Sequence, residues 1–491
     1  MKVVVIGAGF GGLASALRCA ARGQSVTVLD RISGPGGRGR EFVRSTNGLE
    51  FKYDAGPTVL TAPQLFEELF TLFGEKLSDH IELMPVAPWY QMRFADGSQL
   101  DYGGSTEKIQ SEIARFSADD AKAYPAFLAH SQKLFQKGYE ELGSQPFLGA
   151  VSMLKALPAM IALRADRSVY SATARYFKDE RVRRAFSIQP LLVGGNPFDT
   201  TSIYSLIHYL ERKWGVWFPR GGMARLVDAL VALGLRHGVQ FEWNADVQTI
   251  TTTAGRATGV QLQDGRHIAG NAVVSNADAG YTLAHLLPAA QKRTKAITGK
   301  QYSMGLFVWY FSTSRQYADV QHHTILFGNA YREVLHKIFE SQELSDDLSI
   351  YLHRPTATDT QYAPPGYDSF YALVPVPNLA AGIDWKTQAA PFKALLQAEL
   401  TRRLLPNLAD CIVDEHIVTP HYFADELLAP LGSGFSITPK LTQSAGFRFP
   451  NQHAELPNLY FVGAGTHPGA GVPGVVTSAK VVERLMFGAV Q

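Results

Sequence analysis

The order of hydrophobic and polar positions near the N-terminus predicts a strand, a tight turn, a helix and a second strand. Residues 2–6 form an apolar, β-branched run that is typical of a buried parallel strand. Four glycines follow within residues 7–12, and apolar side chains then recur at helical spacing as far as Ala20. A second apolar run at residues 26–29 ends in Asp30. This order indicates a folded βαβ unit, and the glycines argue against a cleaved signal peptide.

The glycine cluster has the spacing of a dinucleotide-binding turn. Gly7 allows the tight turn, Gly9 lets the backbone approach a pyrophosphate, and Gly12 lets the helix lie close to the strand. The helix N-terminus offers free N–H groups and the positive end of its dipole to phosphate. Asp30 stands at about the spacing at which an acid accepts hydrogen bonds from a ribose hydroxyl. The residues assigned to this part of the site are Gly7, Gly9, Gly11, Gly12 and Asp30.

The segment after Asp30 favours FAD over NAD as the dinucleotide. Residues 35–40 read Pro-Gly-Gly-Arg-Gly-Arg and lie where FAD-dependent oxidases carry a second loop that contacts the pyrophosphate. Arg38 can neutralise phosphate charge, with a solvated surface arginine as the alternative interpretation. Residues 54–58 predict a tight turn beside the flavin. These segments add Gly37, Arg38, Gly56, Pro57 and Thr58 to the predicted cofactor site.

The middle of the chain is predicted to return to the cofactor domain. Residues 220–222 introduce an amphipathic helix that carries Leu226, Leu230 and Leu233 on one side. The strand around Val247 is expected to lie near the adenine of the cofactor. Strand-like runs lie around residues 239–243, 247–251, 259–262 and 272–275, with a hairpin turn at Asp264-Gly265.

The C-terminal segment is predicted to close the cofactor site. Residues 459–462 form a buried strand, residues 463–474 a glycine-rich loop, and residues 476–486 an apolar helix. Proline is favoured near a helix start because its missing N–H would be unpaired there anyway. The positive end of this helix is suited to stabilise the negative charge of a reduced flavin. The segment contributes Gly463, Gly465, Val472 and Pro473 to the predicted cofactor contacts.

Composition limits the functions that are possible for the chain. Its 491 residues exceed one ordinary domain and predict two. A net charge of +2 without a sustained basic run argues against a nucleic-acid partner. Cys19 and Cys411 fit no metal or redox spacing and suit a reducing cytoplasm. No metal site is expected, and the adjacent His322 and His323 are interpreted as loop residues without a nearby ligand set.

On these motifs the chain resembles the bacterial-type phytoene desaturases of carotenoid biosynthesis. The resemblance covers essentially the whole chain. Its most specific part is the run Gly-Ala-Gly-Thr-His-Pro-Gly-Ala-Gly at residues 463–471, which is similar to the C-terminal signature of that family. The other motifs that carry it are residues 7–12, 54–58, 191–197 and 214–222.

The resemblance implies an α/β fold with a Rossmann-type FAD-binding domain, as in flavin amine oxidases, and a discontinuous α+β substrate domain. The wider flavin oxidases usually have glutamate where this chain has Asp30, and often an acid where it has Ala464. No acidic flavin contact is therefore assigned to the C-terminal loop. The expected domains are residues 1–75, 215–285 and 450–491 for FAD, and residues 76–214 and 286–449 for substrate and membrane association.

The same resemblance implies an FAD-dependent oxidoreductase that acts on CH–CH groups and dehydrogenates phytoene in several steps towards lycopene. A substrate with almost no polar group requires an apolar, aromatic-rich tunnel. Quinone or oxygen is the expected electron acceptor, and no nicotinamide is expected to act stoichiometrically. The candidate tunnel aromatics are Trp89, Tyr90, Phe135, Tyr139, Tyr204, Tyr209, Trp214, Trp217 and Phe218.

An apolar segment at residues 146–163 is interpreted as a surface for peripheral membrane docking. Only Lys155 interrupts its two apolar halves, and Arg164 and Arg167 flank it where they could meet anionic headgroups. No stretch reaches about 18 uninterrupted apolar residues, so no membrane-spanning helix is expected. A buried helical hairpin is the alternative for this segment. The protein is therefore expected in the cytoplasm, peripherally associated with the membrane.

Candidates for a catalytic polar group are Asp166, Arg167 and His467. The first two follow the apolar segment and could face a tunnel mouth, and His467 lies in the flavin loop. Allylic C–H groups are too weakly acidic for direct proton abstraction. Hydride transfer to flavin, followed by loss of a proton to a modest base, is therefore the expected course.

Two alternative functions stay open on the sequence alone. One is a related desaturase, ketolase or isomerase that acts on another polyene. The other is a non-redox lipid carrier with the same fold, against which the complete glycine set and Asp30 count. The number of desaturation steps, the electron acceptor and the oligomeric state are not fixed by the sequence.

Overall fold

The computed structural model describes residues 1–147, 158, 161, 163–293 and 295–488. The strands are β1 (Lys2–Ile6), β2 (Ser25–Leu29), β3 (Glu41–Thr46), β4 (Leu49–Asp54), β5 (Leu83–Pro85), β6 (Tyr90–Arg93), β7 (Gln99–Tyr102), β8 (Trp217–Pro219), β9 (Gln240–Glu242), β10 (Val247–Thr253), β11 (Arg256–Leu262), β12 (His267–Ala269), β13 (Ala272–Ser275), β14 (Gly305–Thr313), β15 (His323–Leu326), β16 (Ile350–His353), β17 (Asp368–Val376), β18 (Ile412–Val418) and β19 (Leu459–Phe461). The helices are α1 (Phe10–Ala21), α2 (Gln64–Thr71), α3 (Thr106–Ala114), α4 (Ala118–Phe135), α5 (Val169–Thr173), α6 (Glu180–Ser187), α7 (Leu206–Trp214), α8 (Gly222–Arg236), α9 (Ala279–Tyr281), α10 (Lys295–Thr298), α11 (Tyr331–His336), α12 (Trp385–Arg403), α13 (Pro420–Asp425) and α14 (Val472–Phe487).

A five-stranded parallel sheet in the order β19, β13, β1, β2, β9 positions the predicted cofactor site. The side chains of β1 alternate between two cores. Val3 and Val5 pack with α1, α8 and α14, whereas Val4 and Ile6 pack towards β10 and β11. Because both faces are covered, the strand is a continuous apolar run in the sequence.

The predicted run of strands in the middle of the chain is divided between two sheets. Strands β10, β11 and β12 form a three-stranded antiparallel sheet, and Asp264-Gly265 lies in the turn between β11 and β12. The runs predicted at residues 239–243 and 272–275 instead become β9 and β13 of the parallel sheet. All four residues of β13 are buried, which is typical of a central parallel strand.

A seven-stranded mixed sheet in the order β18, β14, β17, β16, β15, β6, β7 forms the second layer. Its interior strand β14 is buried along its whole length. Tyr310 on β14 lies opposite Tyr371 on β17 and faces a large aromatic core, while Phe307 and Trp309 pack on the other face against α12. The boundaries of the two predicted domains stay a prediction.

A network of buried charges joins the first helix to the last. The Arg18 guanidinium on α1 donates to Glu483 on α14 at 2.8 Å and to Glu68 on α2 at 2.7 Å, and Arg22 donates to Glu483 at 2.8 Å. Arg18 and Glu483 are both almost fully buried. Removing one partner of such a pair is costly because it leaves an uncompensated buried charge. The network holds the N-terminal and C-terminal glycine loops side by side.

Among the helices that the structure describes, none is long and apolar enough to cross a membrane. Most of the predicted docking segment, residues 146–163, is not among the described residues: residues 148–157, 159, 160 and 162 lie outside them. Of its described apolar residues, Phe147 lines an internal cavity and Ile161 is 66% exposed.

Candidate functional site

A cavity of about 530 Å³ opens at the carboxyl ends of the parallel strands. Ligands bind at this edge in open parallel sheets because the loops that follow the strands meet there. Among the described residues, Gly11, Gly12 and Gly465 do not line the cavity. The predicted cofactor residues that do line it are Gly7, Gly9, Asp30, Gly37, Arg38, Gly56, Pro57, Thr58, Val247, Gly463, Val472 and Pro473.

The first glycine loop is packed too closely for any side chain. Gly7 has a positive φ of 91°, and a Cβ at Gly12 would lie 2.0 Å from the Gly7 carbonyl oxygen. A Cβ at Gly9 would lie 2.8 Å from Asn276 Nδ2, and one at Gly11 would lie 2.6 Å from Asn276 Oδ1. The helix therefore lies against the strand as predicted. The close neighbour of Gly9 within the protein, however, is the Asn276 amide.

Asn276 is a site residue that the sequence reasoning missed. It directly follows β13, and its backbone N–H donates to the Ile6 carbonyl at 2.7 Å. Its side chain lies among the first glycine loop and the C-terminal loop, and it lines the cavity. A polar residue at the carboxyl end of a predicted parallel strand was the available signal.

Asp30 fixes the first glycine loop and faces the cavity. One carboxylate oxygen accepts the Ala8 N–H at 2.7 Å, and the other accepts the Ile32 N–H at 3.2 Å. Burial raises the pKa of Asp30, and these two hydrogen bonds oppose that shift by favouring the carboxylate. Each oxygen has a second lone pair, so the side chain can still accept a hydrogen bond from a ribose hydroxyl.

Arg38 is a cation held at the cavity wall with unsatisfied donors. Its Nη2 donates to the Ser433 carbonyl at a long 3.5 Å, and its buried Nε has no hydrogen-bond partner among the described residues. Burial lowers the pKa of this guanidinium, which nevertheless stays charged. A Cβ at Gly56 would lie 2.4 Å from the Arg38 carbonyl oxygen, so the two loops are packed together. An anionic group in the cavity would satisfy these donors, and the site therefore fits a pyrophosphate.

The C-terminal loop is held by a buried arginine. Arg448 donates to the carbonyl oxygens of Thr466 at 2.9 Å, Ala464 at 2.5 Å and Gln443 at 3.3 Å. The loop leads into α14, whose first residues line the cavity. No sequence pattern pointed to Arg448, because it lies outside the glycine-rich run that it supports. A second helix N-terminus is thereby directed at the cavity, beside that of α1.

His467 is the predicted catalytic residue that lines the cavity. Its Nε2 bonds the Leu142 carbonyl at 3.0 Å, so this nitrogen carries the proton. Its buried Nδ1 has no partner within the described chain. Burial lowers the pKa of His467 to about 4, so the imidazole is neutral near pH 7. The side chain thus offers one free acceptor lone pair.

Asp166 and Arg167 are placed elsewhere. Their side chains are 63% and 61% exposed, and they pair with each other at 3.4 Å. Neither contributes to the cavity as the described residues form it. Their position at a tunnel mouth stays a prediction.

The cavity continues from the cofactor residues into an apolar lobe. Tyr90, Tyr139 and Tyr204 of the predicted tunnel aromatics line it. The other six, Trp89, Phe135, Tyr209, Trp214, Trp217 and Phe218, do not line it within the described part of the chain. The aliphatic residues of the lobe are Ile188, Leu191, Leu192, Ile203, Ile207, Leu210, Met304, Leu306 and Ile325.

Glu211 is the acidic side chain on helix α7 at the wall of this lobe. It accepts hydrogen bonds from Tyr90 and Tyr102, both at 3.0 Å, and burial raises its pKa to about 7. Tyr102 also bonds the buried His208 of the same helix. Two polar residues spaced i and i+3, on one face of an amphipathic helix, were the missed signal for this network.

One expectation about the histidines is wrong. His323 is the first residue of β15, not a loop residue, and His353 on β16 brings a third buried imidazole to the adjacent His322 and His323. The partner was invisible in the sequence because it lies on a neighbouring strand.

The parallel sheet, the two glycine loops and the unsatisfied Arg38 define a flavin-dependent oxidoreductase as the class of protein. Residues 10–482 match the family model described as flavin containing amine oxidoreductase. A cyclohexylamine oxidase from Brevibacterium oxydans has the same fold, with a TM-score of 0.61 and 16% identity over 99% of this chain and 98% of that chain.

Within that class, the chain belongs to the phytoene desaturase family. It is 47% identical over 490 residues to the lycopene-forming phytoene desaturase of Pseudescherichia vulneris, with 99% of each chain covered. It is 45% identical over 487 residues to the lycopene-forming enzyme of Pantoea ananas, with 98% of each chain covered. The predicted flavin amine-oxidase-like fold and the FAD cofactor are confirmed. Because the chain belongs to this family, it is an FAD-dependent oxidoreductase, and the alternative of a non-redox lipid carrier is not supported.

Proposed function

We propose that this protein dehydrogenates phytoene in several steps towards lycopene, with FAD as cofactor. The observation that carries the proposal is the single cavity that joins the dinucleotide loops to an apolar lobe. Burial in such a lobe stabilises a bound hydrocarbon substrate, which needs no polar anchor. The names of the relatives support the same substrate and product.

Some of the described residues bind the cofactor, and others position the substrate. Arg38 and the two helix N-termini would hold the pyrophosphate, and Asp30 would hold the ribose. When bound, FAD supplies a two-electron acceptor. The walls of the lobe position the substrate and exclude water, which is the main contribution that an inert hydrocarbon requires of the protein. We assign no catalytic role to Asp166 or Arg167.

His467 is the proposed proton acceptor. Each dehydrogenation removes two hydrogens from the substrate, and one of them leaves as a proton once two electrons have been removed. That proton is acidic, so a weak neutral base is sufficient. The unpartnered Nδ1 of His467 is such a base, because Nε2 already donates to Leu142.

The test is conversion of phytoene in liposomes by pure protein supplied with FAD. We expect the absorption spectrum to move into the visible, with a quinone or oxygen as the electron acceptor. His467→Gln should retain FAD but convert phytoene about 10²- to 10⁴-fold more slowly, the range for loss of a general base. His416→Gln is the matched control, because His416 is a half-buried histidine on β18 and is not among the described cavity-lining residues.

The outcomes of this experiment distinguish the alternatives. Conversion of a more desaturated carotenoid but not of phytoene would establish the related desaturase, ketolase or isomerase. Equal rates for His467→Gln and His416→Gln would remove His467 as the proton acceptor and leave the substrate assignment intact.

We further propose that the protein works in the cytoplasm, peripherally associated with the membrane that holds its substrate. Two observations support this proposal. Phe147 lines the cavity and makes an edge contact with His467, at 4.7 Å between the ring centroids. Ile161, fourteen positions later in the same apolar segment, is 66% exposed. An exposed apolar side chain in an apolar segment that also reaches the cavity suits an interfacial surface.

Liposome flotation tests this surface. The variant Leu154→Glu/Ile161→Glu is expected to lose most of its binding to vesicles that contain anionic lipid, because two charges would enter the apolar interface. Leu235→Glu is the control, since Leu235 is 58% exposed on α8, outside the segment. Equal flotation of wild type and double variant would show that membrane contact, if any, is made elsewhere.

A further inference from the structure

Three buried histidines meet behind the cofactor cavity. His323 on β15 lies directly opposite His353 on β16, and His322 immediately precedes β15. One ring nitrogen from each lies within 4.8 Å of the others, and at most 4% of any of the three residues is exposed. Aromatic packing alone does not explain why the three imidazoles bring ring nitrogen atoms close to one another.

Hydrogen bonds to hydroxyl groups orient two of the rings. His322 Nδ1 lies 2.6 Å from Thr358 Oγ1, and His323 Nδ1 lies 2.7 Å from the Tyr351 hydroxyl. Tyr351 lies 2.6 Å from Thr58 Oγ1, so its hydroxyl proton can be donated there while it accepts from His323. In this arrangement both Nδ1 atoms carry protons, and both Nε2 atoms have free lone pairs.

These lone pairs have no partner within the part of the chain that the structure describes. Nε2 of His322, Nε2 of His323 and both nitrogens of His353 are buried without a hydrogen-bond partner among the described residues. Buried polar atoms are satisfied in the great majority of cases, so an unsatisfied cluster indicates an absent water or ion. Three adjacent neutral imidazoles, each with one free lone pair, are a preferred donor set for a zinc or related ion.

We propose that His322, His323 and His353 bind one Zn²⁺ ion. The Asp54 carboxylate lies 3.4 Å from His353 Nε2 and would offset part of the ion's charge. The nearby Arg354 does not oppose binding, because its guanidinium is already paired with Asp368 at 2.9 and 3.1 Å. The nitrogens of a tetrahedral zinc site are about 3.4 Å apart, so the rings would turn slightly inward.

The role of the ion would be structural. The pair Tyr351 and Thr58 connects His323 to the cofactor cavity, which both residues line. Asp54 ends β4 and begins the turn that contains Thr58. A metal at the three histidines would therefore hold this turn, β15 and β16 in a fixed relation beside the flavin site.

The test is the zinc content of untagged holoenzyme after incubation with zinc chloride and gel filtration. We expect about one zinc per chain in the wild type, and less than about a tenth of that in His323→Gln and His353→Gln. Thr358→Val removes only the orienting hydroxyl of a residue that is not among the described cavity-lining residues. It should weaken zinc affinity about 10- to 100-fold in competition with a chromophoric chelator. FAD content measured on each sample shows whether the variant has folded.

The control is again His416→Gln, which removes a histidine of the same seven-stranded sheet and should bind zinc like the wild type. Wild-type protein that carries no zinc after this treatment would overturn the proposal, since the cluster would then be filled by water. Unchanged zinc content in both His323→Gln and His353→Gln would overturn it equally, because the ion would be bound elsewhere.

Discussion

Gly9→Val is expected to weaken FAD binding by at least about 100-fold, and the protein should purify without flavin colour. A Cβ at this position would lie 2.8 Å from Asn276 Nδ2, and valine adds two further methyl groups. The valine side chain would also enter the part of the cavity that Gly9 lines, where the backbone must approach the pyrophosphate. A loss of about 3 kcal/mol in binding free energy corresponds to about two powers of ten in affinity. The φ angle of Gly9 is −73°, so the effect is steric and does not arise from backbone strain.

A double-mutant cycle separates the two steric explanations for Gly9. If the contact with Asn276 dominates, Asn276→Ala should recover part of the FAD affinity that Gly9→Ala loses. If the Cβ mainly obstructs the pyrophosphate, Asn276→Ala should bring no recovery. Gly34→Val is the matched control for the valine variant, because a Cβ at Gly34 would have no described atom within 4 Å. Flavin absorbance and fluorescence titration measure all five variants, the double variant Gly9→Ala/Asn276→Ala included.

The glycine loops were predictable because their constraints are local. A positive φ at Gly7 and a helix packed on its own strand at Gly12 depend on residues close in sequence. Asp30 was predictable for the same reason, since it ends the next strand of the same βαβ unit. In each case, the residue type and its spacing together carried the information.

The supporting residues were not predictable because they act across long sequence separations. Asn276 contacts a loop more than 260 positions earlier, and His353 joins two histidines from a neighbouring strand. Glu211 is paired with Tyr90 and Tyr102, which lie more than a hundred positions away. A polar residue in an apolar run can be noticed in one sequence, but its partner is determined only by the tertiary fold.

The aromatic residues show the same limit. Aromatic side chains are common in protein cores as well as in ligand cavities, and no spacing rule separates the two uses. Tyr139 lines the cavity, whereas Phe135 stacks on it from behind with ring centroids 5.1 Å apart. A residue of the cavity wall and a residue of the core behind it are therefore only four positions apart in the sequence.

Arg448→Met is expected to destabilise the protein by about 3–5 kcal/mol and to release the C-terminal flavin loop. Arg448 is 4% exposed, and its three described acceptors are carbonyl oxygens of the loop and of the segment before it. Methionine fills a similar volume but donates no hydrogen bond, so buried carbonyls are left unsatisfied at about 1–3 kcal/mol each.

Arg448→Lys should recover only part of this stability, because one ammonium group cannot reproduce a planar fork that reaches Thr466, Ala464 and Gln443 together. Lys300→Met is the matched control: Lys300 Nζ donates to the Phe447 carbonyl at 2.8 Å, but in an exposed position where its loss should cost at most about 1 kcal/mol.

Thermal release of FAD, followed by flavin fluorescence, measures the loop, and circular dichroism measures the fold. If the loop alone depends on Arg448, flavin release should occur at a lower temperature than global unfolding in Arg448→Met. In the contrary case, flavin release and global unfolding of Arg448→Met would coincide, and both would occur at the temperature of the Lys300→Met control. That result would show that the three carbonyls find other donors and that the guanidinium does not hold the flavin loop.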